Sequence, residues 1–165
     1  MRRMPTCEAC GRPVESHDRH VRFRLPDAVV RLPEQERTAG TWLADPDPGR
    51  AVMMEVPELG AFVRALLPVR LSGGHTVTFG LWVGIHPDDL QSALDVWRAP
   101  EYRDLRMSGH LANALPTWEV FEAPVSLAVT NPDATPYCVD SEDDELRSVL
   151  ANEWDHEVVL AALPD

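Results

Sequence analysis

The stretch MPTCEACGRPVESHDRH, residues 4–20, gathers the side chains best suited to chemistry: Cys7 and Cys10, followed by His17 and His20. Two thiolates in a Cys-x-x-Cys can reach one ion, because the turn between them points both sulfurs inward. Gly11 permits the tight backbone that this turn needs. A closed structural zinc site takes four ligands, so two more donors are required, and His17 and His20 are the nearest. If residues 17–20 form a turn, the H-x-x-H spacing places both imidazoles on one side. Cys138 and His156 are the distant alternatives for the remaining positions. Without metal, the same residues would be reduced surface thiols and solvated histidines. A redox role is disfavoured: such a motif normally follows a strand and opens a helix, and Pro5 and Gly11-Arg12-Pro13 oppose a helix here. The cofactor expected is zinc.

Other constellations give less. In YCVDSEDDELRSVL, Ser141 can cap a helix with Asp144 at its third position. Glu142, Asp143, Asp144 and Glu145 then complement the positive helix end. No D-x-D-x-D-G spacing supports calcium. The same acids could instead form a face for a basic protein partner. No G-x-S-x-G, H-E-x-x-H, phosphate-binding loop or dinucleotide fingerprint occurs. Cys138, beside Tyr137, reads as a buried apolar residue more readily than as a nucleophile. Trp97 falls at a core spacing, while Trp82 and Trp118 are candidates for lining a groove.

These side chains need a scaffold, and 165 residues at 44% hydrophobic suffice for one domain with a real core. The expected organisation is a single domain over 1–165, with 1–20 as a metal-knuckle extension. No apolar run approaches a membrane span. The start MRRMPTCEAC has no hydrophobic stretch behind its arginines, which argues against a signal peptide. An odd set of three cysteines, two in a Cys-x-x-Cys, points to a reducing, cytoplasmic location. Net charge is −12, unevenly spread: residues 1–37 carry eight arginines against six acids, and residues 138–165 one arginine against nine acids. All fifteen basic residues are arginine. An acidic chain without a basic stripe is poorly suited to neutralising phosphates, so neither nucleic acid nor membrane is expected as a partner.

Along the chain, HVRFRL alternates as a half-buried strand, with Val21, Phe23 and Leu25 on one face. PDAVVRLPEQER reads as turn and short helix, ADPDPGR as a loop, and AVMMEV as a strand. FVRALLPVRLSGGHTVTFGLWVGI reads as two extended runs joined at Gly73-Gly74, which supply positive φ. In the second run Val77, Phe79, Leu81, Val83 and Ile85 share one face. Gly80, Trp82 and Gly84 share the other, implying close approach of another segment or a groove over Trp82. HPDDLQSALDVWRAP is the clearest helix, with Pro87 at its first position and Leu90, Ala93, Leu94 and Trp97 at i, i+3, i+4 and i+7. WEVF and VSLAV read as extended, and DSEDDELRSVLANEWDHEVVLAAL as a helix followed by a final strand. The fold class expected is α+β: a mainly antiparallel sheet, two or three helices and an N-terminal zinc-knuckle-like turn.

The ordered elements CEACG, FGLWVGI, a helix ending VW, and SGHLANALPTWE resemble the bacterial family catalogued as domain of unknown function number 2199. That family shows Cys-x-x-Cys-Gly near its start, then F-G-x-W-V-S-L, then G-x-L-x-x-x-L-P-x-Y. The resemblance implies an architecture and a zinc site, and no activity. Two family positions differ here. The His that often follows the second Cys by four residues is Val14, and a mid-chain Cys falls around Met53-Met54. If those are ligands in the family, this chain either draws on His17, His20 or Cys138 instead or binds no metal. The function expected is a non-enzymatic binding or interaction module with a structural zinc site. Its partner would meet the acidic C-terminal face or a groove near Trp82. The alternative is a small metal-dependent enzyme with three protein ligands and water on zinc.

Overall fold

The computed structural model describes residues 19–32, 41–44 and 51–163. Its strands are β1 (Arg19–Arg22), β2 (Trp42–Leu43), β3 (Met53–Val56), β4 (Gly60–Leu71), β5 (His75–Ile85), β6 (Arg106–Leu111), β7 (Pro124–Ala128), β8 (Tyr137–Asp140) and β9 (Glu153–Trp154). The hairpin β4–β5 dominates, paired from Ala61↔Ile85 to Leu71↔His75. It turns where the glycine pair stands, at φ +78° for Gly73 and +79° for Gly74, a region that side-chain-bearing residues rarely adopt.

Each hairpin arm shares its outer edge among several neighbours. β5 takes β1 in parallel at Val77–Gly80 and β6 antiparallel at Val83–Gly84. β4 takes β3 antiparallel at Gly60–Val63, β8 in parallel at Leu66, and β9 in parallel at Arg70–Leu71. Because β6, β7 and β8 pair in succession, the path β5–β6–β7–β8–β4 closes into a five-stranded barrel-like ring. The antiparallel α+β expectation holds, with more strand and a more closed sheet than the sequence suggested.

Period-two alternation on the hairpin builds two cores. Val63, Ala65, Leu67 and Val69 of β4 and Val77, Phe79, Leu81 and Val83 of β5 fill the main one. The opposite face carries Phe62 and Trp82 into a second core with Val29, Ala51, Met54 and Val56. Trp82 is therefore fully buried, and no groove opens over it among the described residues. The glycines beside it reflect the other expectation, close approach of chain: a Cβ on Gly80 would touch Arg22. Trp118 is also core, edge-on to Phe79 and to Trp154.

Four α-helices occur among the described residues, against the two or three expected: α1 (Asp27–Val30), α2 (Pro87–Val96), α3 (Asp144–Ala151) and α4 (His156–Ala161). The last stands where a strand was expected; the only extended residues there are the two of β9. On α2 the buried stripe is Leu90 and Ala93, continuing to half-buried Trp97, which tilts against Tyr102. Leu94 sits on the flank and is 37% exposed, because the contact with the sheet is narrow. The cap of α3 is Asp143, whose Oδ2 accepts from the Leu146 N–H at 2.9 Å. Ser141 is drawn inward instead and donates to the Pro124 carbonyl. WEVF keeps the alternation of burial, with Trp118 and Val120 inside, but pairs with no strand and leads to Glu122 at φ +65°. Among the described residues no helix is long and apolar enough to cross a membrane. The knuckle turn at Cys7–Cys10 lies outside the described residues, as does most of the 44–50 loop.

Candidate functional site

Of the proposed zinc ligands, Cys7, Cys10 and His17 lie outside the described residues. His20 lies within β1, opposite Thr78 of β5, with its side chain exposed while its neighbour Val21 enters the core. Cys138 on β8 is buried opposite Leu127, and burial pushes its thiol up to about 12, so it is not a thiolate at neutral pH. His156 is buried at the start of α4. Its Nδ1 lies 2.6 Å from the Ser72 hydroxyl, and its ring meets His75 edge-on. Among the described residues no three His, Cys, Asp or Glu side chains gather where they could hold a metal ion.

What the described residues do assemble is a polar clamp on the chain leaving the N-terminal segment. Arg64 projects from β4 toward the second core and is fully buried. Its guanidinium lies 4.3 Å above the Trp82 ring and donates to the carbonyls of Ala51, Phe23 and Gly80. Burial, and secondarily the charge of Arg22, lower its pKa from 12.5 to about 10, so it stays charged at neutral pH. The indole N–H of Trp82 donates to the Arg24 carbonyl at 3.2 Å.

Asn113, also fully buried, completes the clamp. Its Oδ1 accepts from the Trp82 backbone N–H at 2.8 Å, and its Nδ2 donates to the Leu25 carbonyl and to Asp27 Oδ1, both at 2.9 Å. Asp27 Oδ2 then accepts from the Ala114 N–H at 2.8 Å. Phe23 to Asp27 are thus held from three sides by backbone-directed bonds, which fixes where the upstream segment joins the sheet. Sequence reasoning missed Arg64 and Asn113. The signal for Arg64 was a charge in the middle of a twelve-residue, mostly apolar strand, whose other charge, Arg70, stands near its end.

A second feature is an open depression of about 520 Å³ across the ends of β5, β6 and β7. Its floor is apolar, with Ile85 and Val125, and exposed Leu59 forms one lip. Asp89 from the first turn of α2 and Glu142 from the turn before α3 line it, with His86 and His110 on its rim. His86 Nδ1 is engaged in accepting from the Asp88 N–H at 3.0 Å. β6 and β5 are pressed together here: a Cβ on Gly109 would lie 2.7 Å from Val83 Cγ1 and closer still to the Gly84 carbonyl oxygen. Only glycine fits there.

No curated protein and no solved structure matches the chain. The profile of one family, described as an uncharacterized protein conserved in bacteria (DUF2199), matches residues 6–153, a span from just before the Cys-x-x-Cys to β9. Trp82 and Asn113, within two of the four motifs that carried the resemblance, are partners in one buried network. The chain belongs to this family of uncharacterised bacterial proteins.

Proposed function

We propose that the protein is a non-enzymatic, cytoplasmic binding module with a structural zinc site. Cys7 and Cys10 supply two thiolates, and His17 and His20 complete the tetrahedron. Its acidic C-terminal side receives a protein partner. The observation that carries this reading is the clamp of Arg64, Trp82 and Asn113 on residues 23–27. It presents His20 outward from a fixed strand, ten residues after the second cysteine, so a metal would tie the preceding turn to a rigid sheet edge. When bound, zinc would supply a cross-link between segments that have little apolar content of their own.

Cobalt substitution tests the coordination. Protein reconstituted with Co²⁺ is expected to show thiolate-to-metal charge transfer together with the intense visible bands of a four-coordinate site. Both should vanish in Cys7→Ser/Cys10→Ser. A five-coordinate spectrum that changes when small anions are added would mean an open position, and would favour a metal-dependent enzyme instead.

A further inference from the structure

We infer that the depression between β5, β6 and β7 is the docking point for a basic segment of a protein partner, and takes its arginine or lysine side chain. This rests on reading the protein as a binding module. Three observations carry it. First, Asp89 and Glu142 come from different elements, α2 and the turn before α3, yet line the same cavity, and among the described residues no arginine lines it. Arg106 lines an adjoining recess that shares Asp89, Ser108 and Ser126 with it. Second, the floor is apolar, so a long cationic side chain can lay its methylenes over Ile85 and Val125 while its head reaches the carboxylates. Third, the depression is open along the sheet face. Small-ligand sites enclose most of their ligand's surface, whereas this one covers a side chain from below and leaves the rest of the occupant outside. A residue anchored in a larger partner meets that geometry.

Such docking would also give Glu142 a role that helix capping does not need, since the cap is Asp143. The other acids of that face are differently engaged. Asp144 lies 3.9 Å from Arg147, and Glu145 accepts from the Glu119 N–H.

The test is a titration of the full-length protein with the blocked peptide Gly-Gly-Arg-Gly-Gly, followed by methyl NMR at Ile85 and Val125. The same peptide with citrulline in place of arginine is the control, similar in size and without charge. The arginine peptide is expected to shift both residues, and less so as salt rises; the citrulline peptide should not shift them. Asp89→Asn/Glu142→Gln should weaken binding by about tenfold or more, as loss of two charge-assisted partners implies. Should the double variant lose its fold, Glu142→Gln alone, at an exposed site, is expected to show a smaller weakening. Cys7→Ser/Cys10→Ser should bind the peptide as the parent does, which separates this inference from the zinc reading. No shift at millimolar peptide, an equal response to citrulline, or unchanged binding in the folded variants would overturn it.

Discussion

Asn113→Ala removes three hydrogen bonds from a side chain with no solvent exposure. The largest loss is at the Trp82 backbone N–H, which is buried in the second core and donates to Asn113 Oδ1; such a group, once orphaned, costs about 1–3 kcal/mol. The Leu25 carbonyl and Asp27 are half-buried, so water can reach them, and each loss there is ~0.5–1 kcal/mol. The sum is a destabilisation of about 2–5 kcal/mol, measurable by urea denaturation at neutral pH. Hydrogen exchange should show the loss concentrated in residues 19–27, with the β4–β5 hairpin still protected. Asn113→Asp makes a sharper test. It keeps the acceptor for Trp82 but sets a carboxylate where an amide nitrogen now stands 2.9 Å from Asp27 Oδ1. Repulsion raises the pair's folded pKa above the unfolded carboxyl value of about 3.9, so stability relative to wild type must fall as pH rises through that range. If Asn113→Ala stays within ~0.5 kcal/mol of wild type, or exchange at 19–27 is unchanged, the clamp is not what holds this segment.

On α2, Leu90→Ala is expected to cost about 2–5 kcal/mol and Leu94→Ala, at the exposed flank, within ~0.5 kcal/mol; equal losses by denaturation would show the helix face misassigned. Gly109→Ala forces a methyl against Val83 and the Gly84 carbonyl and should destabilise by about 1–3 kcal/mol or more, whereas Gly80→Ala, with no contact nearer than 3.6 Å, should be far milder. Cys138 stays protonated in the fold well above its ordinary value of 9.0, to about 12. Stability therefore falls as pH climbs through that window, because only the unfolded thiol ionises there. Cys138→Ala should flatten that decline by up to ~1.4 kcal/mol per pH unit, and parallel pH curves for the two proteins would refute it.

The sequence made the hairpin legible because two local signals agreed: strict alternation in both arms and a glycine pair between them. The ring was not legible. Its closure depends on a single parallel pairing, Leu66 with Tyr137, between residues far apart in the chain. The β6 strand was hidden by Gly109 and His110, weak strand formers whose use depends on how closely β5 approaches. Leu94 was misplaced because helical spacing defines a stripe but not which flank of it meets the sheet. At Ser141 and Asp143, two competent caps stood two residues apart, and Ser141 is the one drawn to the Pro124 carbonyl. The clamp draws Arg64, Trp82, Asn113 and Asp27 from four separate segments, a proximity no local pattern encodes. The depression is of the same kind, since Asp89 and Glu142 become neighbours only once the helices are laid on the ring.

Metal content is the most direct test of a zinc-bearing binding module. Full-length protein purified without chelator should be analysed for zinc, with native alkylation of its cysteines counted by mass spectrometry. The expected result is about one zinc per chain, Cys7 and Cys10 protected until a chelator is added, and buried Cys138 protected until the protein unfolds. Protein free of zinc, with Cys7 and Cys10 both alkylated at the rate of free thiols, would contradict it.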